Sequence, residues 1–411
     1  MNFSAKAESM IESAKAVGWD LGLSSIKALL EQLDNPQNKL KTIHVTGTNG
    51  KGSTCAFLNS ILIDAGYRVG RYVSPAVCSE FERYTINDEW ISEESYCKAM
   101  DVMAHACDGV VISGLRHPSL FEVETALAFY YFYLMECDLA IIEVGMGGLL
   151  DATNVMSSPL ICAFTSIGME HSKWLGDTIT DIAKNKAGII KPQTYVVSAL
   201  QESCVESILR DTARSNMCDI SFAEPIDKKY KLGLVGDFQR QNAGVAIECI
   251  RCLRQNGFTI SEDNISRGLS DAKWPFRFEQ ISTSPEIYLD GAHNYHAIVA
   301  LKQAIIDNIS NKTLTFVISV LADKDFDKMF EMIFPLARDI IVVEAPSERA
   351  LPIEDLYKAA NAAANTQTVE RAQSFSHAAQ LAIDSGNTIV CFGTFTFLNN
   401  MKNEFKEKIV D

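Results

Sequence analysis

Short, continuously apolar runs alternate with longer stretches of helical period along most of this chain. Strand character falls on Thr42–Thr46, Val69–Val73, Leu139–Val144, Ile161–Ser166 and Tyr195–Ser198. Between them lie helical stretches at Ser24–Leu33, Gly52–Ala65, Glu93–Ala106, Glu122–Glu136, Ile179–Ile189 and Gln239–Gln255. Runs without polar alternation belong to strands buried on both faces, so the pattern predicts an α/β fold with a parallel-rich sheet. It restarts after Trp274-Pro275. Strands at Ile287–Leu289, Leu314–Val320, Ile340–Val343 and Thr388–Phe392 alternate there with helices beginning near Tyr295, Asp325, Pro352 and Ser376. The expected division is residues 1–275 and a smaller α/β unit, 276–411, with Pro275 closing the linker.

Size and charge narrow this further. At 411 residues the chain exceeds what one core usually serves. A net charge of −15 argues against nucleic acid or an anionic membrane as partner, since either favours a basic face. The 11 cysteines are scattered through apolar segments, as expected of reduced thiols in a cytoplasmic protein. Cys249 and Cys252 form a C-x-x-C on a helical pattern without a second ligand pair, which reads as packing. The first fifteen residues have no apolar signal core, and the apolar stretch from Ala126 to Met135 is too short to span a bilayer.

The chemistry concentrates in Val45-Thr46-Gly47-Thr48-Asn49-Gly50-Lys51-Gly52-Ser53-Thr54, between a strand and a helix. Glycines let backbone N–H groups from Thr48 to Ser53 face a polyphosphate at the positive end of the helix dipole. Lys51 then reaches the outer phosphates, and a hydroxyl at Ser53 or Thr54 takes a place on Mg²⁺. Gly52 separates the lysine from the hydroxyls, a departure from the common phosphate loop.

This loop is one of an ordered series. It follows the leader Asn35-Pro36-Gln37-Asn38-Lys39-Leu40-Lys41. It precedes Val73-Ser74-Pro75, Phe121-Glu122, Glu143-Val144-Gly145-Met146-Gly147-Gly148 and Leu150-Asp151-Ala152-Thr153-Asn154. Then come Thr165-Ser166-Ile167-Gly168 with His171, Leu175-Gly176-Asp177-Thr178 and Lys186-Ala187-Gly188-Ile189-Ile190-Lys191-Pro192. Asp290-Gly291-Ala292-His293-Asn294 and Leu321-Ala322-Asp323-Lys324-Asp325 complete it. Together these segments resemble the folylpolyglutamate synthase/dihydrofolate synthase branch of the Mur ligase superfamily, over nearly the whole chain.

The resemblance implies an N-terminal P-loop-type domain and a Rossmann-like C-terminal domain that closes over the nucleotide. It implies an ATP-dependent ligase that phosphorylates a pteroate- or folate-like carboxylate and lets the amine of glutamate attack the acyl phosphate. Lys51, His171 and Lys186 take catalytic positions. Thr48, Asn49, Gly50, Lys51, Gly52, Ser53, Asn242, Arg277 and Asp290 take ATP-binding positions. Ser53, Ser74, Glu143, His171 and Lys186 match the metal set, for one or two Mg²⁺, with Lys186 carbamylated. Phe121, Glu122, Leu150, Asp151 and Ala152 match acceptor contacts, and His293 and Thr394 the glutamate site. The partners implied are small molecules, and a monomer is expected. Glu143 ends an apolar strand at the carboxyl edge where ligands bind, the alternative for it being a solvent-facing strand end. Taken without the resemblance, other positions read more plainly. His171 reads as a packing or surface residue, Lys186 as an exposed helix lysine, and Asp290 as a turn residue before Gly291.

Some positions depart from the family pattern. Ala76 stands for His after Ser-Pro, Leu149 for Arg in the Gly-Gly-Arg-Leu-Asp string, Phe276 for Gly, Tyr295 for Pro, and Glu170 for Asp. Loss of an arginine and a histidine removes groups able to hold a carboxylate or a pterin ring. Phe276 is expected to restrict domain closure or add a stacking face. The alternatives left open are the same amide-ligase chemistry on a non-folate acceptor, a nucleotide-binding protein without ligase activity, and a P-loop kinase.

Overall fold

The structure is a computed structural model that describes residues 3–18, 22–76, 79–170, 172–309 and 312–409. It divides into two compact units, Met1–Gly233 with Arg240–Lys273, and Leu234–Gln239 with Trp274–Asp411. In chain order the first unit carries α1 (Ala5–Val17), α2 (Ser24–Gln32), β1 (Thr42–Thr46), α3 (Lys51–Asp64), β2 (Val69–Tyr72), β3 (Tyr84–Ile86) and β4 (Glu89–Trp90). It continues with α4 (Glu93–Ile112), α5 (Leu120–Leu134), β5 (Leu139–Glu143), β6 (Ile161–Phe164), α6 (Ser172–Leu175), α7 (Ile179–Ala187) and β7 (Tyr195–Ala199). It ends with α8 (Ser203–Ser215), β8 (Ile220–Ala223), α9 (Gln239–Gln255) and α10 (Glu262–Asp271).

Its sheet has the order β4-β3-β2-β5-β1-β6-β7-β8. All pairings are parallel except β2–β3 and β3–β4. Every residue of β1 and β5 is buried; β5 is accordingly apolar up to Glu143, while β1 also buries the polar Thr42, His44 and Thr46. The β3–β4 hairpin escapes periodicity because its strands are three and two residues long. Its Asn87-Asp88 turn, with φ of 50° and 65°, is the signal it does carry. Likewise α1 is rich in small and charged residues and weakly patterned, and its start is fixed by Ser4, whose side chain accepts from the Ala7 N–H. Helix α5 is apolar on nearly every side because it sits inside the core formed with α1, α2 and α4.

The second unit carries β9 (Glu279–Thr283), β10 (Glu286–Asp290), α11 (Tyr295–Asn308), β11 (Leu314–Ile318), α12 (Phe326–Ile333), β12 (Asp339–Val342) and α13 (Ile353–Ala363). It closes with β13 (Thr368–Arg371), α14 (Phe375–Asp384), β14 (Thr388–Phe392) and α15 (Phe395–Ile409). Its sheet has the order β13-β12-β11-β14-β10-β9, parallel except for β9. Phe316, Phe330, Phe334 and Phe392 fill its core. In both units the parallel strands end together at one edge, where open α/β sheets hold ligands.

Candidate functional site

At the carboxyl edge of the first sheet, β1 runs into the glycine loop and α3 begins at Lys51. Gly47 has φ 151° and packs so tightly that a Cβ there would come 1.9 Å from Thr165 Oγ1. Gly50 takes φ 90°, and a Cβ would meet Asn242 Oδ1 at 2.2 Å. The loop is pinned to β6, because the Thr48 and Asn49 N–H groups both donate to Ser166 O, at 2.8 and 3.3 Å. Thr48 Oγ1 also donates to Gly168 O at 3.0 Å. Those two amides are engaged, so the N–H groups oriented for an anion are those of the first turn of α3, from Lys51 through buried Gly52 and Ser53.

Two lysines converge here. Lys51 Nζ donates to Gly47 O at 2.9 Å and Thr48 O at 3.3 Å. Lys186 Nζ, from the last turn of α7, donates to the same Gly47 O at 2.9 Å and to Glu170 Oε1 at 2.6 Å. Lys186 is 1% exposed, so it is not the solvent-facing helix lysine its neighbour Lys184 suggests. Burial lowers its pKa to about 8, outweighing Glu170, and the Lys51 charge lowers it further.

Glu143 closes β5 and is 5% exposed, which rules out the solvent-facing strand end. Buried Arg71 of β2 interacts with it electrostatically; sequence reasoning did not single out this arginine. Ser74 Oγ is buried without a hydrogen-bond partner among the described residues. His171 lies outside the described residues. Among the described residues no three His, Cys, Asp or Glu side chains gather in one cluster. One buried carboxylate and orphaned or buried hydroxyls at Ser74 and Ser53 suit Mg²⁺, which keeps several waters and takes few protein oxygens.

The acceptor candidates divide. The Phe121 ring covers Gly145, where a Cβ would lie 2.5 Å from Phe121 Cζ. Asp151 is buried and braces the turn after β5: Oδ2 accepts from Met146 N at 2.8 Å, Oδ1 from Thr153 N at 3.0 Å and Thr153 Oγ1 at 2.5 Å. Thr153 Oγ1 lies 2.8 Å from His44 Nε2. Since that hydroxyl gives its proton to Asp151, His44 donates from Nε2; burial holds its pKa down at about 3 and the ring neutral. Glu122 forms the capping box of α5 with Ser119 and pairs with Arg116 at 2.8 Å. Ala152 is buried, whereas Leu150 and Leu149 are 42% and 48% exposed.

In the second unit, Asp290 ends β10 and its carboxylate accepts from Phe278 N and Ala292 N, each at 2.8 Å. Burial raises its pKa to about 6 against the lowering effect of Arg277. Arg277 lies 5.3 Å over the Phe395 ring, and the His293 ring lies 5.6 Å from the same phenyl. Thr394 precedes Phe395 and is buried. The structure thus gathers Arg277, Asp290, His293 and Thr394 at one sheet edge. Phe276 is fully buried at φ 55°, packed under Lys402 Nζ at 5.2 Å, so it is a core residue and offers no open stacking face. Cys249 and Cys252 are buried on α9 as free thiols, as their helical spacing predicts.

Residues 45–231 match the Mur ligase middle domain and residues 276–395 the Mur ligase glutamate ligase domain. A dihydrofolate synthase/folylpolyglutamate synthase of Bacillus subtilis is 34% identical over 86% of this chain and 88% of its own. Folylpolyglutamate synthase of Lacticaseibacillus casei is 34% identical over 80% of this chain and 82% of its own. Among solved structures, Mycobacterium tuberculosis folylpolyglutamate synthase complexed with ADP aligns at TM-score 0.87 and 27% identity, covering 98% of each chain. E. coli FolC in complex with DHPP and ADP aligns at TM-score 0.87 and 26% identity, covering 99% of each. The chain belongs to the folylpolyglutamate synthase/dihydrofolate synthase family of Mur ligases.

Proposed function

We propose that this protein is an ATP-dependent ligase that joins L-glutamate to a dihydropteroate or folate carboxylate through an acyl phosphate, releasing ADP and phosphate. The observation that carries this reading is the convergence of Lys51 and Lys186 on the Gly47 carbonyl, at the start of α3. The Lys51 ammonium at the helix N-terminus forms an anion site in a chain whose overall charge repels anions, with Lys186 buried beside it. Residues 1–275 serve as the ATP-binding part and 276–411 as the glutamate-ligase part.

Phosphoryl transfer asks for positioning and charge neutralisation more than proton transfer. Lys51 leaves its loop carbonyls for the outer phosphates, with Thr48 to Ser53 and Asn242 around the nucleotide. Ser53, Ser74 and Glu143, with His171, would hold Mg²⁺, which supplies neutralisation of phosphate charge when bound. Phe121 gives the acceptor an aromatic wall, while Asp151 and Glu122 set the turn and helix start that carry it. Arg277 and Asp290 serve the nucleotide, and His293 and Thr394 the glutamate, from the second unit.

Lys186 has two linked parts. As an ammonium it balances Glu170; as a free amine it takes up carbon dioxide to form a carbamate. A pKa of about 8 leaves about a quarter of the amine uncharged at pH 7.5, against about 0.1% for an ordinary lysine, which favours the second. We place the protein in the cytoplasm as a monomer; the ten described cysteines are free. No helix among the described residues is long and apolar enough to cross a membrane.

A second reading keeps the chemistry and changes the acceptor to a non-folate carboxylate; it rests on half-exposed Leu149 where the family carries arginine. Phosphate release from purified protein with ATP, glutamate and a panel of pteroate, folate and unrelated carboxylates separates the two. Turnover with dihydropteroate or a reduced folate supports the first reading. Release with no pteroate or folate, but with another carboxylate, replaces it.

A further inference from the structure

The glycine loop leans on one short segment, Thr165 to Gly168, just past the end of β6. Thr165 N donates to Thr46 O at 2.8 Å, and the Thr165 hydroxyl is the group that leaves no room for a Cβ at Gly47. Ser166 O accepts the Thr48 and Asn49 amides. Gly168 meets the Thr48 hydroxyl twice, its O accepting and its N donating, each at 3.0 Å. The shape of the loop, and the aim of the α3 amides that follow it, therefore depends on where this segment is held.

On its other side the segment has run past its neighbouring strand. The ladder between β6 and β7 ends at the pair Phe164–Ser198, and the chain leaves β7 at Ala199 to enter α8 at Ser203. The side chain of Gln201, in that connection, takes over from the ladder. Its Nε2 donates to Thr165 O at 2.9 Å, and its Oε1 accepts from Ile167 N at 3.1 Å. A residue of a parallel strand makes the same pair of bonds, one to the carbonyl before its partner and one to the amide after it. Here the partner between them is Ser166, whose carbonyl holds both loop amides.

The amide is itself fixed. Gln201 Nε2 also donates to Ser198 Oγ at 3.1 Å, and that hydroxyl gives its own proton to Ala199 O at 2.8 Å. A primary amide offers a donor and an acceptor from one rigid plane, which a carboxylate or a thioether of the same length does not.

We infer that Gln201 is a positioning residue for nucleotide binding. Its side chain replaces a strand beside Ser166 and so keeps the glycine loop in the form that presents the first-turn amides of α3 to phosphate. The nucleotide role of that loop is taken from the proposed function; the bonding pattern around Ser166 is independent of it.

Calorimetric titration of the full chain with ADP tests this, together with KM for ATP and for glutamate and with urea unfolding. Gln201→Met keeps the length and removes the hydrogen bonds. Gln201→Glu keeps the acceptor for Ile167 N and sets a carboxylate oxygen against Thr165 O. The ADP dissociation constant should rise about tenfold in the first and at least as much in the second, with KM for ATP rising in step. KM for glutamate should stay within about twofold, a split that general loss of stability does not produce. Ser198→Ala removes the third bond of Gln201 but spares Thr165 and Ile167, and should leave ADP affinity within about twofold. A lower urea midpoint in Gln201→Met with unchanged ADP affinity overturns the inference. So does equal weakening in Ser198→Ala, or a KM for glutamate that rises as far as that for ATP. If Gln201→Met does not fold, Gln201→Glu decides by the same criteria. Wild-type protein that binds ADP without turning over any acceptor counts against the ligase and leaves this comparison standing; failure of the wild type to bind ADP overturns the inference.

Discussion

Burial of Lys186 leads to a stability measurement with a defined sign. Its pKa falls from 10.5 in the unfolded chain to about 8 in the folded protein. Below pH 8 both states hold the proton, and the folded state bears the full cost of a buried ammonium, about 3 kcal/mol. Between pH 8 and 10.5 the unfolded chain keeps a proton that the folded state has released, so this group makes stability rise with pH. Above 10.5 both are neutral and the cost is gone. Integrated from pH 7.5 to 9.5, the gain is about 2 kcal/mol. Lys186→Met removes the titration and keeps most of the volume. It removes the Lys186–Glu170 ion pair, but a carboxylate stays ionised across this range, so that penalty is a constant offset. Urea unfolding of wild type and variant, followed by tryptophan fluorescence in buffer freed of carbon dioxide, gives the difference at each pH. Other titrating groups are common to both proteins and cancel. The wild type should gain about 2 kcal/mol on the variant between the two pH values. Curves that stay parallel to within about 0.5 kcal/mol would refute the burial argument and, with it, the supply of free amine for carbamate formation.

Three further substitutions read other parts of the site. Lys51→Ala should lower phosphate release by about 10³-fold or more, because a phosphate-bound cation is lost. It should change the urea midpoint little, since among the described residues Lys51 bonds the carbonyls of its own loop. Leu149→Arg should lower KM for folate acceptors with kcat nearly unchanged if the exposed leucine marks a missing carboxylate contact; an unchanged KM removes Leu149 from the acceptor site. Phe276→Gly relieves about 1 kcal/mol of left-handed backbone strain but deletes a fully buried ring worth about 3–5 kcal/mol. A net loss of about 2–4 kcal/mol in denaturant unfolding is expected, and a gain in stability would show that the ring is not part of that core.

Much of the architecture is legible because it depends on period and composition. Strands β5, β6, β7, β11 and β14 are mainly apolar runs since both faces are covered. The glycine loop is legible because left-handed and close-packed backbone leaves a chemical trace in the residue type. What escapes is set by tertiary partners. Nothing local to Lys184-Asn185-Lys186 says which lysine turns inward. The 139-residue separation between Lys186 and Gly47 O is closed only by the β1–β6–β7 order of the sheet. Arg71 escapes for the same reason: its neighbour Glu143 is on an adjacent strand, far away in sequence.

Asp151 and Glu122 show how one residue type serves two ends. Both match acceptor-contacting positions, yet both carboxylates are engaged with the protein: Asp151 with the turn after β5, Glu122 with the start of α5 and Arg116. Glu122 Oε2 accepts from Arg116 Nη1, Ser119 N and Ser119 Oγ, and Asp151 Oδ1 from Thr153 N and Oγ1, so these oxygens are occupied by the protein and burial makes each contact expensive to leave unmade. Through Thr153 the Asp151 brace reaches His44 on β1, the strand that delivers Gly47 and the glycine loop. Phe121 sits one residue before Glu122 and closes over Gly145, in the turn that Asp151 holds. The glycine loop and the Phe121 ring are therefore tied by a continuous set of buried hydrogen bonds and one ring contact. A change at Asp151 should therefore disturb the turn after β5 and, through Thr153 and His44, the strand that carries the glycine loop.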